Sequence, residues 1–191
     1  MDVAAIVAAL RDTPENARWQ ADGCVALATI AVGGIVGADD SVQAPSSRVD
    51  ENVCARAASV GALVVITDAI IRHPTHAGVL HWGTTALMRL IHDSDERTDQ
   101  AVAAGATEAV AAAVNHPDAL AEGDRVAAKV MLAHKWLSAY VRAHGGAPSG
   151  LQGGENSRST SSKAELIWMQ LVRERATWDK TDSAYLGENV D

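Results

Sequence analysis

The chain has 191 residues, of which 48% are hydrophobic and 21% are charged, and its formal net charge is -8. This length and composition are typical of a globular chain with one well-buried core, and they exclude a disordered tail. The acidic charge argues against a nucleic-acid-binding protein, because phosphate contacts need clustered Lys and Arg. Phe is absent while Ala and Val are abundant, so we expect a helical core built from small side chains.

The first residues, MDVAAIVAALRDTP, predict a helix that ends before Pro14. Its apolar side chains recur at helical spacing and share one face: Val3, Ile6, Val7 and Leu10. The segment begins with the acidic Asp2, whereas a secretory signal begins with basic residues. We therefore expect a structural helix here and no signal peptide.

The next segment, ARWQADGCVALATIA, predicts a second helix, with Gly33 as its C-terminal cap. Its uncharged run, from Cys24 to Ala38, is shorter than the about 20 residues that a membrane span needs, so we expect no span. The Gly/Pro/Ser-rich stretch 33–48 predicts an inserted loop. Its glycines do not form a dinucleotide fingerprint, because that motif opens a helix.

Two later segments share one pattern: GALVVITDAIIRHP, from Gly61 to Pro74, and GATEAVAAAVNHP, from Gly105 to Pro117. Each begins with Gly, continues with an apolar stretch of helical length and ends at His-Pro, where a helix is disfavoured. The first helices match the copy at Gly61 at an offset of 60 residues: Ile6 with Ile66, Leu10 with Ile70, and Gly23 with Gly83. The two later copies are 44 residues apart, and the 33–48 insertion accounts for the longer first spacing. This period predicts a helical solenoid, in which each repeat buries its apolar face on its neighbours.

These segments resemble the armadillo repeat family over residues 1 to about 142. ERTDQAVAAGATEAVAAAVNHP is similar to the family's short first helix, glycine turn and second helix, and HAGVLHWGTTALMRLI and ARWQADGCVALATIA are similar to its third helix. The resemblance implies an all-α, right-handed solenoid of about three repeats, the first without its short helix; a HEAT-like array is the alternative. Val25 and Thr29, and likewise Thr85 and Arg89, replace the Trp and Asn of peptide-binding members, which argues against a nuclear-import-receptor role.

The chain beyond the repeats is expected to consist of three segments. Residues 143–162 form a Gly/Ser-rich linker. Residues 163–178 then follow a capping box and predict an amphipathic helix, and 179–191 an extended tail. The apolar side chains of this helix would either cover the last repeat or bind a partner: Ile167, Trp168 and Leu171.

We find no sequence pattern that indicates catalysis. His73, His76 and His81 have the residue type of metal ligands, but Pro74 breaks the helix between them, so we interpret them as loop and helix residues. No Ser-His-Asp or Cys-His arrangement stands out, and we expect no catalytic residue, metal or cofactor. The tryptophans of the third helices are expected in the core: Trp19, Trp82 and Trp136.

The two cysteines, Cys24 and Cys54, lie in Ala/Val-rich helical segments and are too few for a disulfide framework. We therefore expect the cytoplasm or another reducing compartment. The hypothesis that follows is a non-catalytic protein-interaction, scaffold or assembly subunit of a larger complex, with other protein subunits as partners. The alternative is an enzyme or cofactor-binding accessory subunit that uses the insertion 33–48.

Three surfaces are candidates for partner binding. The first is the apolar face of the N-terminal helix, exposed because a solenoid end lacks a neighbouring repeat. The second is a basic surface along the third helices, suited to an acidic peptide segment: His81, Thr85, Arg89, Arg125 and Lys129. The third is the apolar stripe of the helix 163–178.

Overall fold

The computed structural model describes residues 2–33, 49–116 and 124–144, and within these ranges it contains eight helices and no strand. The helices of the first part of the chain are α1 (Val3–Asp12), α2 (Ala17–Ala31), α3 (Glu51–Ser59) and α4 (Ala62–Arg72). Those of the second part are α5 (Ala77–Leu90), α6 (Asp95–Ala103), α7 (Ala106–Asn115) and α8 (Asp124–Ala143). The described chain is therefore all-α, as predicted.

Side chains at five helix starts accept hydrogen bonds from the backbone N–H groups of the first turn. These residues are Asp2, Asn16, Asp50, His76 and Ser94. Such caps each stabilise a helix by about 1 kcal/mol, because the first N–H groups of a helix have no partner within it. The starts of α1, α2, α3, α5 and α6 are thus determined locally.

The helices α4 and α7 begin after a glycine instead of a side chain that accepts a hydrogen bond. Gly61 precedes α4 and Gly105 precedes α7, and both have φ of +86°. An L-residue in this left-handed conformation costs about 1–2 kcal/mol, which glycine avoids. Each glycine therefore permits a sharp turn from a short helix, α3 or α6, into the next helix, and the glycine turns predicted from the sequence are present.

Helices at corresponding positions of the predicted register contact each other. α1 contacts α4, α4 contacts α7, α2 contacts α5 and α3 contacts α6. Within the pairs α1–α2 and α4–α5 the same close approach recurs: a Cβ atom on Gly23 would overlap the Leu10 side chain, and one on Gly83 would lie 3.1 Å from Ile70 Cγ1. The offset of 60 residues therefore relates equivalent packing contacts as well as similar residues.

One main core runs through this arrangement, and its largest fully buried members are aliphatic. They include Leu27, Leu63, Ile66, Leu87 and Leu137. Between them lie alanines with almost no exposed surface, which allow the helix axes to approach closely. Burying one Leu or Ile contributes about 2 kcal/mol, so this aliphatic cluster is the main stabilising feature of the fold.

The end of α8 belongs to a second unit, which begins at Ala139. In it, the rings of Tyr140 and His144 stack with centroids 4.1 Å apart. The His144 backbone N–H also donates to the Tyr140 carbonyl at 3.0 Å. This pair is one helical turn apart, the spacing at which side chains of a helix meet.

Candidate functional site

The apolar face of α1 is covered by the chain itself. Its residues are Val3, Ile6, Val7 and Leu10, and all four are buried members of the main core. The exposed apolar end predicted at these positions is therefore not present, and a partner could reach them only if α1 left the core. The physical reason is that α1 contacts α2, α3 and α4, and its apolar face joins the main core that these helices share.

Four residues of α5 and α8 form a second candidate region, a buried polar cluster. Lys129 Nζ lies 3.1 Å from His81 Nε2 and donates to Thr85 Oγ1 at 3.3 Å. Thr85 Oγ1 in turn donates to the His81 carbonyl at 2.7 Å. Lys129 Nζ also lies 5.8 Å from the centre of the Trp82 ring, within the range of a cation–π interaction.

Burial determines what this cluster does. Lys129 is 4% exposed, and His81 and Thr85 are also buried. The structure thus brings together three of the five residues predicted for the basic surface, at the offset of 44 residues that joins Thr85 to Lys129. Because their polar atoms point at one another, they hold α8 against α5 instead of lining an open surface.

The other two residues of the predicted basic surface do not join this cluster. Arg89 is partly buried, and its Nη1 donates to the Ala28 carbonyl of α2 at 3.1 Å. Arg125 belongs to α8, but its side chain lies outside the described residues. Binding of an acidic peptide stays a prediction. Arg89→Glu would test it, because the reversed charge should weaken the binding of such a peptide.

The histidines near the α4–α5 turn have structural partners. His73 Nε2 lies 2.8 Å from the Pro14 carbonyl, which joins the α4–α5 turn to the α1–α2 turn. His76 Nδ1 accepts the Val79 N–H at 3.2 Å and caps α5. In the three described stretches, no group of three or more His, Cys, Asp or Glu side chains is arranged to hold a metal ion.

Both cysteines are buried free thiols. Burial raises the pKa of Cys24 to about 12 and that of Cys54 to about 11. The Cys54 thiol lies between two backbone carbonyls, 3.9 Å from that of Ala31 and 3.7 Å from that of Arg89. A thiol with a raised pKa is a poor nucleophile at neutral pH, so neither cysteine has the properties of a catalytic residue.

A buried arginine connects the short helices α3 and α6. Arg97 binds Glu51 through two hydrogen bonds, with Nη2 to Oε2 at 2.9 Å, and its guanidinium also donates to the Leu90 and His92 carbonyls. The hydrogen bond from Arg97 holds the pKa of the Glu51 carboxyl below its usual value, against the opposing effect of burial. The same pair raises the pKa of Arg97. This arrangement is a structural clamp between helices.

Four large apolar side chains of the described residues are exposed: Trp19, Val64, Ile71 and Met131. The sequence pattern did not predict the exposure of any of them. Trp19 was predicted in the core but is 60% exposed, whereas Trp82 and Trp136 do pack against the core. Val64 and Ile71 are seven residues apart on α4, off the stripe that the core residues of this helix occupy. That spacing was visible in the sequence, whereas the exposure of Trp19 was not.

The predicted C-terminal site falls on Ile167, Trp168 and Leu171, which lie outside the described residues, as do the linker, the tail and nearly all of the 33–48 insertion. At the edge of that insertion, Val32 is the C-cap of α2, so Gly33 lies one position beyond the cap predicted for it. Gly33 has a φ of +70°, and its N–H donates to the Ile30 carbonyl at 2.9 Å.

Comparison with protein-family models, with curated proteins and with solved structures finds no match for this chain. Within the described ranges, none of the helices has by itself the length and hydropathy to cross a membrane. The consecutive helices α3 and α4 meet both criteria only when taken together, and they are bent by 71° where they join.

Proposed function

We propose that the chain is a non-catalytic protein-interaction or assembly subunit of a larger complex, built on an armadillo-like α-solenoid of about three repeats. Two features support the repeat architecture. The left-handed glycines Gly61 and Gly105 recur at 44 residues, and the helices that the register pairs are in contact. Repeats that stack in this way align equivalent helices into an extended surface, which such proteins use for binding.

The exposed apolar side chains of α4 carry the interaction role. Val64 and Ile71 are about half exposed, lie two turns apart, and flank the exposed Asp68. α4 is the middle helix of the row α1, α4 and α7. Exposed apolar side chains that share one helix face with a polar rim are typical of interaction sites, because their contact with water is unfavourable and a partner removes it.

The buried polar groups support a non-catalytic role. The Lys129 cluster joins α5 to α8, Arg97 joins α3 to α6, and His73 and His76 serve the turn between α4 and α5. Each group is thus used to hold helices together. The buried free thiols are consistent with a reducing compartment, which we also propose.

The test is the size of the native assembly. The tagged chain in a native extract should elute from gel filtration well ahead of the purified 19.9 kDa chain. Ile71→Lys should shift it toward the free chain, because a charge would be buried unpaired in the interface. Asn115→Lys is the matched control, since it places the same charge at the repeat-equivalent exposed position of α7 without removing apolar surface. Elution of the native chain at its own monomer mass would reject the proposal.

A further inference from the structure

We propose that the chain's N-terminal edge, defined as Ala5 and Ala9 of α1 with Trp19, Ala26 and Ile30 of α2, is a docking surface for an α-helical hairpin of a partner protein. The partner hairpin stacks on α1–α2 in the way that α1–α2 stacks on α4–α5. This inference rests on the proposed interaction role and assigns it a specific surface and partner class. Side chains at equivalent positions of successive repeats differ in burial, and this difference locates the surface.

Equivalent residues of α1 and α4 differ in burial. Ala5 and Ala9 are exposed on α1, but Val65 and Ala69, the residues 60 positions later, are buried on α4. The counterparts on α7 are buried as well: Ala109 and Ala113. α4 and α7 each have a preceding helix, α1 and α4 respectively, that contacts them. Ala69 packs with Ala17 and Ala21 of α2 and with Val79 of α5, so residues of the preceding pair α1–α2 contribute to covering the flank equivalent to positions 5 and 9.

The opposite flank shows the reverse pattern. Val3 and Val7 of α1 are buried, as are Leu63 and Thr67 of α4. The equivalent residues of α7 are only partly buried: Thr107 and Ala111. Burial thus follows the presence of a neighbour on each side and not residue size alone. Among residues 2–33, 49–116 and 124–144, no helix covers Ala5 and Ala9 as the preceding pair covers Val65 and Ala69.

The same comparison for α2 and α5 gives the largest difference. Trp19 is 60% exposed, whereas Val79, its counterpart, is 0% exposed and packs with Ala21 of α2. A tryptophan in water on a flank that is otherwise used for helix packing is a strong indication of an interface. Trp is the residue type that most often contributes dominant binding energy at protein interfaces.

Two further positions extend the edge along α2. Ala26 and Ile30 pack against the main core on one side and are partly exposed, whereas their counterparts on α5, Ala86 and Leu90, are buried. Together with Trp19 they lie at intervals of seven and four residues, so they share one face of the helix. This face is about three turns long, which is the length of contact that one helix makes with another.

The internal interface shows what chemistry covers such a flank. On α5 the flank meets small residues of α2: Val79 packs with Ala21, and a Cβ atom on Gly83 would lie 3.7 Å from Cys24 Sγ. Ala21 and Cys24 are one turn apart, and Ala28 is one further turn along. The Ala28 carbonyl also accepts a hydrogen bond from Arg89. The occupant of the N-terminal edge is therefore a helix with small side chains at this spacing, accompanied by a second helix over Ala5 and Ala9.

The surroundings of Trp19 fit a protein partner. Arg18 precedes it and Asp22 lies one turn beyond it, and both are exposed. Protein interfaces combine an apolar centre that contains aromatic residues with a polar rim of this kind. The edge carries one charge of each sign at its margin, which suits a specific partner better than a strongly charged surface such as nucleic acid.

Photo-crosslinking in the native complex tests the proposal. A benzophenone amino acid replaces Trp19 in the full-length chain, and in a second variant Gln100, an exposed residue of α6, serves as the control. We expect position 19 to crosslink to one protein, and the crosslinked peptide to lie in a helical hairpin with small residues one and two turns apart. A crosslink to an extended segment, to nucleic acid or to a second copy of this chain overturns the proposal, as does the same product from position 100.

A binding measurement with the crosslinked protein, purified, gives the quantitative test. Trp19→Lys should raise the dissociation constant of the complex between the two proteins by about 30-fold or more, as expected for an interface tryptophan. Because Trp19 is exposed in the free chain, the melting temperature of the variant should stay unchanged, which separates lost binding from unfolding. Affinity that is unchanged by Trp19→Lys overturns the inference.

The two proposals fail in different ways. If the native chain elutes as a monomer, both the interaction role and this edge are rejected. If the assembly exists and is released by Ile71→Lys but not by Trp19→Lys, only the N-terminal edge is rejected. Sedimentation of the purified chain at increasing concentration tests for self-association. If the chain self-associates and Trp19→Lys abolishes this, the occupant is a second copy of the chain, which contradicts the proposed partner class.

Discussion

The helix pairs α1–α2 and α4–α5 have the same internal packing and different surroundings. In each pair a glycine of the second helix lies against an aliphatic side chain of the first, Gly23 against Leu10 and Gly83 against Ile70. Among the described helices, α4–α5 contacts helices both earlier and later in the chain, whereas α1–α2 contacts only later ones, namely α3, α4 and α5. The internal packing of each hairpin thus depends on its local sequence, while the burial of its outer positions depends on its neighbours.

The first prediction compares the loss of stability caused by a cavity in the pair α4–α5 with that caused by a cavity in the pair α1–α2. Ile66→Ala should lower the free energy of unfolding by about 4 kcal/mol and Ile6→Ala by about 2 kcal/mol, because a cavity costs more where the surroundings cannot relax. Ile66 has no exposed surface, whereas Ile6 retains a little. Urea unfolding of the purified variants, followed by circular dichroism, measures both values. Equal losses would show that the two pairs are equally enclosed.

The second prediction concerns the close approach within each pair. A Cβ atom on Gly23 overlaps the Leu10 side chain, so Gly23→Ala should cost about 1–3 kcal/mol despite its better helix propensity. At Gly83 the nearest atom is 3.1 Å away, and Gly83→Ala should cost less than about 1 kcal/mol.

Thermal unfolding of the two alanine variants gives the order of these effects. Combining Gly23→Ala with Leu10→Ala provides the control, because removing the overlapping side chain should make the second substitution nearly free of cost. If Gly23→Ala stabilises the chain while Leu10 is present, the close contact has been misjudged.

The third prediction compares the two glycine turns. Gly61→Ala and Gly105→Ala should each cost about 1–2 kcal/mol, because both glycines have φ of +86°. The cost should be greater at Gly61, since the Arg11 guanidinium occupies the space of the new methyl group and donates to the Val60 carbonyl at 2.9 Å. Denaturant midpoints of both variants in the Arg11→Ala background provide the check: there the difference between the two glycines should disappear.

The smallest effect concerns pH and the clamp between α3 and α6. Arg97 lowers the pKa of Glu51 in the folded chain, so the pair stabilises the fold above the unfolded pKa of about 4.5. This contribution is lost as pH falls through the lower folded pKa. Because the Glu51 side chain is 64% exposed, the amount is below about 1 kcal/mol.

Stability measured between neutral pH and about pH 3 should therefore fall slightly less steeply for Glu51→Gln than for the parent chain. Asp68→Asn is the matched control, since it removes one carboxylate charge from an exposed position on α4. Identical slopes for Glu51→Gln and the parent would show that the clamp carries no pH-dependent stability.

The apolar patterns and their breaks predicted α1, α2, α4, α5 and α7, and the two Gly and His-Pro patterns predicted the turns at Gly61 and Gly105. The short helix α6 was expected only from the armadillo resemblance, and α3 was not singled out. Site prediction was less successful. Lys129 and Thr85 do meet, but the sequence pattern did not distinguish a buried contact from an open surface. The faces of α1 were also assigned in the wrong sense, because periodicity identifies an apolar face without identifying the element that covers it.

The features that follow from the sequence are therefore local: where helices begin and end, which residues cap them, and which positions repeat at 60 and 44 residues. These features depend on hydrogen bonds and backbone conformations within a few residues of one another. Tertiary structure alone decided that Val3 and Val7 are covered while Ala5 and Ala9 are exposed, and that Trp19 lies in water where Val79 is buried. Burial depends on neighbours that are distant in sequence, so equivalent residues in successive repeats have different environments.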